Sequence, residues 1–406
     1  MAPHAAPVAW KPQSCRLAHE LVGHAGGVLS VSWTKNGRYI MSASQDKSLR
    51  LWNPHTGAHV KTYTGPHNHE VTDVIISEDN SRFVSCGGDR DFFQWDVTTG
   101  RVVRKFVGHE RKVNALAFGP KEEVVLSASH DKSVRIWDTR SSNRKPVHVL
   151  QEATDSVLCL AVIDDYEFVA GSTDGGLRRY DTRQRQLLTD HMLKPIGSVS
   201  CSADRECMLV STLDDNIWLT ERGSGNVLAT YMGHANQQFK VQSTLDPSSA
   251  WVVSGSEDGH VCAWDLGDAK PVRRLEGHGA PVLCVRFHEG AMVTAAADGG
   301  IRVWRSELLP DADSASPARL EAGGLPAVFG KRRRLDEIGG SLAGVSQQTP
   351  PALPARQGGE PGSEAGASGG EAGAAAATPE DVEPPAKAKR GDRGKKSRRK
   401  AEPEKK

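Results

Sequence analysis

The stretch Ser42-Ala43-Ser44-Gln45-Asp46-Lys47-Ser48-Leu49-Arg50-Leu51-Trp52 sets an Asp six residues ahead of a Trp and a hydroxyl four residues ahead of that Asp. The arrangement recurs along the chain as Asp46–Trp52, Asp89–Trp95, Asp131–Trp137, Asp174–Tyr180, Asp214–Thr220, Asp258–Trp264 and Asp298–Trp304. Successive Asp residues are 43, 42, 43, 40, 44 and 40 positions apart. Five of the seven units open on a second marker: Gly23-His24, Gly65-Pro66-His67, Gly108-His109, Gly233-His234 and Gly277-His278. Each His precedes its Asp by 20 to 24 residues, and by 22 in the first three units.

A period of about 40–45 residues with Gly-His ahead and Trp-Asp behind is the mark of WD repeats, each a four-stranded propeller blade. Seven units predict an all-β, seven-bladed WD-repeat β-propeller. The same five units that carry the His also carry the hydroxyl, as Ser42, Ser85, Ser127, Ser254 and Thr294, and the Trp. In the other two the hydroxyl position holds Ala170 or Val210, the Gly-His is missing, and Tyr180 or Thr220 replaces Trp. Joint presence and joint absence predict one hydrogen-bonded network of His, Ser or Thr, Asp and Trp, because losing one member strands the others as buried polar groups at about 1–3 kcal/mol each.

The strands alternate apolar and polar residues, as in Ser133-Val134-Arg135-Ile136-Trp137. The Asp suits a tight turn, where its carboxylate accepts backbone N–H bonds. Gly57, Gly100 and Gly225 fall between third and fourth strands, where a hairpin needs positive φ. A lone blade cannot bury both faces; seven in a ring can. After Trp304 the last blade still lacks its outer strand. Cys15-Arg16-Leu17-Ala18-His19-Glu20-Leu21-Val22 precedes Gly23-His24 as Gly100–Val107 precedes Gly108-His109, so the N-terminal strand is expected to close the ring.

The chain divides sharply after residue 309. Of 23 aromatic residues, 22 lie before residue 305 and only Phe329 lies beyond. The expected organisation is a flexible N-terminus over 1–13, the propeller over 14–309, and an Ala/Gly/Pro/Glu-rich tail over 310–406. That composition buries too little apolar surface to offset ordering entropy, so disorder is expected there. The formal net charge of +1 conceals a basic end: residues 386–406 hold 11 Lys or Arg and 3 Asp or Glu, a net of +8. Basic clusters lie at 331–334 (Lys331, Arg332, Arg333, Arg334) and 387–400 (including Lys395, Lys396, Arg398, Arg399 and Lys400). Such runs suit nuclear import, loose contact with nucleic acid, or plain solubility. No aromatic residues interleave them, so base stacking is not supported, and RNA contact is expected to be indirect or through this tail.

Seven cysteines, Cys15, Cys86, Cys159, Cys201, Cys207, Cys262 and Cys284, form no Cys-x-x-Cys pair, and their odd count argues against a secreted disulfide framework. The N-terminus lacks the apolar core of a signal peptide, and no apolar stretch is long enough to span a bilayer. The expectation is a soluble protein of nucleus and cytoplasm. His67-Asn68-His69 has no Cys or carboxylate at ligand spacing, so no metal is expected, and nothing implies a cofactor. Gly391-Asp392-Arg393-Gly394-Lys395-Lys396-Ser397 has the wrong spacing for a phosphate loop. The His, Ser and Asp recur with a Trp each time, which marks them as structural and predicts no catalytic site.

Binding residues are then expected on the face that carries the turn Asp residues. Candidates are the residues just before each Asp, Gln45, His130, Thr173, Leu213 and Glu257, with Lys47, Arg90 and Lys132 just after it adding charge. Units three and four end in Trp137-Asp138-Thr139-Arg140 and Tyr180-Asp181-Thr182-Arg183. These Asp-x-Arg boxes resemble those of substrate receptors for a cullin-based ubiquitin ligase, in which Arg140 and Arg183 would meet the ligase adaptor.

The resemblance narrows further. Leu49-Arg50-Leu51-Trp52-Asn53-Pro54, Cys86-Gly87-Gly88-Asp89, Gln94-Trp95-Asp96-Val97 and Arg101–His109 look like the mitogen-activated protein kinase organizer family, also called WD-repeat-containing protein 83. So do Gly171–Asp181 and Gly233-His234-Ala235-Asn236-Gln237-Gln238-Phe239-Lys240. The resemblance covers 15–305; the long tail departs from it. It implies a non-catalytic scaffold, monomeric within larger complexes. Its implied partners are spliceosomal factors of pre-mRNA splicing or components of the extracellular-signal-regulated kinase cascade.

Overall fold

The computed structural model describes residues 10–141 and 143–306. Among them, 28 strands form seven four-stranded antiparallel sheets. Blade one is built from Val28–Trp33, Ile40–Ser44, Leu49–Trp52 and His59–Tyr63, paired in that order. Blades two to six repeat the plan along the chain. Each innermost strand contacts that of the next blade, and Val282–His288 of blade seven returns to Val28–Trp33, so the ring is closed.

The closure is made as the repeat spacing predicts. Blade seven takes three strands from the end of the repeat region, and its outer strand is Cys15–Leu21. That strand runs antiparallel to Ile301–Ser306, with Cys15 opposite Ser306 and Leu21 opposite Ile301. The expected boundary between a flexible N-terminus and the propeller falls too late, however. Trp10 is fully buried in the core between blades six and seven, with its ring 5.1 Å from Phe287. Arg273 donates to the carbonyl oxygens of Pro12 and Gln13 at 2.6 and 2.5 Å. A tryptophan buries about 150–250 Å², enough to hold this segment down. Residues 1–9 and the tail over 310–406, with both basic clusters, lie outside the described residues.

The apolar residues collect between blades rather than within them. Among the described residues there are seven buried clusters, and each joins two neighbouring blades. Between blades one and two, Met41, Leu49 and Tyr63 meet Val74, Phe83 and Trp95. Between seven and one, Leu21 of the N-terminal strand and Val303 meet Val31 and Trp52. The repeat Trp therefore seals each blade against its predecessor. Thr220 cannot do so, and the cluster between blades four and five holds no repeat aromatic. Gly57, Gly100 and Gly225 take φ of 71°, 72° and 71° in their hairpins. Six of the seven cysteines are buried and all are free. Burial pushes thiols such as Cys15 and Cys262 up to about 11, so they pack as small apolar groups. No helix among the described residues is long and apolar enough to cross a membrane.

Candidate functional site

In blades one to three the predicted network forms completely. In blade three, Trp137 Nε1 donates to Ser127 Oγ at 2.8 Å. His109 Nε2 lies 2.7 Å from the same hydroxyl, and its Nδ1 lies 2.7 Å from Asp131 Oδ2. Trp52, Ser42, His24 and Asp46 repeat this with contacts of 2.9, 2.7 and 2.8 Å. Trp95, Ser85, His67 and Asp89 do so at 2.8, 2.7 and 2.8 Å. The indole N–H can only donate, so the hydroxyl accepts it and gives its own proton to His Nε2. The histidine then carries its proton on Nδ1 and donates to the carboxylate. Burial lowers the His24, His67 and His109 pKa values, which favours this neutral form.

The contacts have the order of a catalytic Ser-His-Asp set, but the hydroxyl is not available to a substrate. Ser42, Ser85 and Ser127 are 0% exposed, and each is occupied by an indole N–H. The Asp closes its turn from below: Asp46 accepts from the N–H of Ala25 and of Ser48 at 3.0 and 2.9 Å. Burial alone would raise the Asp46 carboxyl; bonds from Ser48, His24 and Ala25 outweigh it and hold it at about 2.

The expectation of five equal networks is corrected in blades six and seven. In blade seven Trp304 and His278 bond Thr294 at 2.9 and 2.8 Å, but His278 Nδ1 stands 3.6 Å from Asp298. In blade six the set does not assemble. Trp264 donates to the Met232 carbonyl at 2.9 Å and Ser254 to the Gly255 carbonyl at 2.9 Å. Asp258 pairs with His260 and Arg274, and His234 is buried with neither ring nitrogen bonded to protein. The spacing gives the reason. His and Asp are 22 residues apart in the complete units, 20 in blade seven and 24 in blade six. Two residues fewer stretch the His–Asp contact; two more carry the His away from it.

Blades four and five are not simply stripped of the network. Arg178, four residues after Asp174, is 6% exposed and takes the place of the histidine. Its Nη1 donates to Ser172 Oγ at 2.6 Å and its Nη2 to Asp174 Oδ2 at 2.8 Å. Tyr180 donates to Glu152 at 3.1 Å. In blade five, Trp218 Nε1 donates to Thr212 Oγ1 at 3.0 Å, and that hydroxyl donates to Asp214 at 2.5 Å. A further structural carboxylate carries no repeat signal. Asp73, on the innermost strand of blade two, accepts from Ser30 of blade one at 2.7 Å and from the Leu116 N–H of blade three at 2.8 Å.

The candidate binding residues differ in their surroundings. Gln45 and His130 are exposed beside their turns, while Thr173 and Leu213 are half-buried. Thr173 donates to the Ser156 carbonyl at 3.1 Å. Glu257 has a structural duty: its carboxylate accepts the N–H groups of Gln237, Gln238 and Phe239 at 2.8, 2.6 and 2.8 Å. Arg140 and Arg183 are exposed and follow the third strands of blades three and four, Val134–Asp138 and Gly176–Asp181. Arg140 pairs with Glu123 at 3.0 Å, and the Arg183 guanidinium sits 5.6 Å from the Tyr166 ring. Between these blades runs a cavity of about 430 Å³, floored by Val124, Leu126, Ile136 and Phe168. No group of three or more His, Cys, Asp or Glu residues positioned for a metal ion occurs among the described residues.

The WD domain, G-beta repeat model matches six segments: 15–53, 57–96, 100–138, 144–181, 225–265 and 269–305. The unmatched stretch holds the unit of Asp214 and Thr220. WD repeat domain-containing protein 83 of Homo sapiens is 41% identical over 292 residues, covering 71% of this chain and 92% of that protein. Its Xenopus tropicalis counterpart is 41% identical over 291 residues, with the same coverage. A Dictyostelium discoideum homolog is 28% identical over 314 residues, 70% of this chain and 96% of its own length. The chain belongs to the WD repeat domain-containing protein 83 family. As a member of that family it is a WD40 propeller, a protein-interaction scaffold. The matched repeats end at residue 305.

Proposed function

We propose that the chain is a non-catalytic scaffold for multiprotein assembly in nucleus and cytoplasm, acting in pre-mRNA splicing complexes. One observation carries the scaffold reading: the His, Ser and Asp groups of blades one to three are consumed in buried structural contacts. The exposed turn residues beside them remain for binding. The splicing assignment rests on the family resemblance and on the basic clusters at 331–334 and 387–400. The same resemblance supports a role in organising a mitogen-activated protein kinase module. The test is affinity purification of the full-length protein with mass spectrometry, with and without nuclease. Nuclease-resistant spliceosomal proteins are expected. Recovery of kinases without splicing factors would move the assignment to the signalling module. Neutralising the two basic clusters is expected to reduce nuclear fluorescence of a tagged protein.

A second reading, as substrate receptor of a cullin-based ligase, is favoured by one observation. Arg140 and Arg183 are exposed, and Arg140 lines an apolar cavity between blades three and four. Recovery of the cullin adaptor, lost on changing both arginines, would support it.

A further inference from the structure

The position just after the turn Asp holds Lys47, Arg90, Lys132, Gly175, Asp215, Gly259 and Gly299 in blades one to seven. All seven take positive φ, with Lys47 at 69°, Arg90 at 65° and Lys132 at 69°. A side chain is disfavoured in that conformation, and three blades use glycine. There a Cβ would also be crowded, most severely in blade six. A Cβ at Gly259 would lie 2.5 Å from the His278 carbonyl oxygen, and at Gly175 or Gly299 3.1 Å from those of Lys194 or His24. In blades one to three the position instead carries a cation each time, and each cation is exposed. None of the three has an ion-pair partner among the described residues. The carboxylates beneath them do not cancel their reach. The Asp46, Asp89 and Asp131 side chains are 12%, 8% and 4% exposed and are bound to histidine and backbone N–H.

Around this row Arg111 and Lys112 add exposed positive charge, against exposed Glu110 and half-buried Glu70. Across the ring, the corresponding turns of blades five and six hold Asp214, Asp215 and Glu257, while Asp258 is paired with Arg274 and His260. The face is therefore polarised, basic over blades one to three and acidic over five and six, and such a field orients an incoming anion. Stacking platforms for nucleic-acid bases are absent from the basic sector: among the described residues the exposed large aromatics are Tyr166 and Phe239, in blade four and the loop entering blade six. Single-stranded nucleic acid relies on such platforms.

We propose that Lys47, Arg90 and Lys132 form an anion-reading row, one residue per blade, that docks an Asp/Glu-rich segment of a partner protein. This goes beyond the scaffold reading by assigning the docking sector and the chemistry of its occupant. The test uses the full-length chain and an oligoglutamate peptide bearing a photo-crosslinker, with crosslinks mapped by mass spectrometry. Mapping separates capture at these turns from capture by the basic tail. The variant is the triple Lys47→Gly, Arg90→Gly, Lys132→Gly, which removes the charges while relieving the backbone, so its melting temperature is expected to hold or rise. Crosslinks at residues 45–48, 88–91 and 130–133 are expected in the wild type. The peptide concentration that half-saturates them should rise at least tenfold in the variant or with added salt. Crosslinks confined to the tail, or unchanged in the variant, would overturn the proposal. So would an oligouridine that binds these turns more tightly than the peptide, which would reassign the row to nucleic acid. None of these outcomes bears on which complexes co-purify, so the scaffold reading stands or falls separately.

Discussion

Replacing Ser127 by Ala tests whether one hydroxyl holds the blade network together. Ser127 Oγ accepts from Trp137 Nε1 at 2.8 Å and donates to His109 Nε2 at 2.7 Å, and Ser127 is 0% exposed. Removing it strands two buried polar groups at about 1–3 kcal/mol each, so the loss should be about 2–6 kcal/mol. Ser254 is the matched control. It occupies the same repeat position and is also 0% exposed, but its hydroxyl donates only to the adjacent Gly255 carbonyl at 2.9 Å. Ser254→Ala should cost about 1 kcal/mol, one ordinary hydrogen bond. Thermal melting of both variants, with urea unfolding to check that the slope is unchanged, reads the difference. At about 2–4 °C per kcal/mol for a domain of 150–250 residues, and somewhat less for this larger ring, Ser127→Ala should melt several degrees below Ser254→Ala. Equal losses, or the reverse order, would refute the reasoning, because repeat position rather than the relay would then set the cost.

Three further outcomes are expected. Deleting residues 1–22 removes Trp10, Cys15 and Leu21, each at most 1% exposed; at about 1.5–3 kcal/mol per large buried apolar side chain, the loss rivals the 5–15 kcal/mol that holds a typical domain together. A deletion variant melting like wild type would defeat the closure argument. Arg178→Ala should lower the melting temperature as His109→Ala does, since both leave a buried Asp turn and hydroxyl without their partner. Stability should fall on acidification in two stages, read by melts across pH. Burial holds His234 and His278 down to about 4, so the unfolded chain binds their protons first and stability is lost from about pH 6.5 to 4. Asp46, held at about 2, contributes stability above the unfolded value near 4 that is lost as pH falls toward 2. A flat profile between pH 7 and 4 would contradict the first stage.

Much of this molecule was legible in its sequence because one period governs it. The seven Asp positions located seven turns, and the octet Cys15–Val22 located the strand that closes the ring. The quality of each relay follows a second number in the sequence, the distance from His to Asp. His–Asp spacings of 22, 20 and 24 separate complete, stretched and dismantled sets. Physically, the His sits on one loop and the Asp on another, both anchored by strands, so two residues more or fewer cannot be absorbed without moving the ring. What the pattern could not reveal are the replacements. Arg178 reaches its carboxylate from the third strand rather than from the entry loop, so no search for a missing His finds it. Trp10 lies ahead of the first repeat, where periodicity has nothing to say.

The replacements clarify what the fold demands of each blade. A tight turn on the outer face must have its buried carboxylate and hydroxyl paired. His109 with Ser127, Arg178 with Ser172, and Trp218 with Thr212 are three chemically different ways to do it. In blade six the Asp turn is left to surface pairs, and Glu257 ties the adjacent loop instead. The residue after the Asp must tolerate positive φ, and in blade five it also ties a loop, Asp215 accepting from the Asn236 N–H and from Gln237 Nε2 at 2.6 and 2.5 Å. Glycine meets the positive-φ requirement at least cost; a carbonyl oxygen 2.5 Å from the Cβ position enforces it at Gly259, and contacts of 3.1 Å favour it at Gly175 and Gly299. In blades one to three Lys47, Arg90 and Lys132 hold this position instead, each exposed. Three exposed cations on three consecutive blades, with no ion-pair partner among the described residues, are the groups an anionic partner would meet.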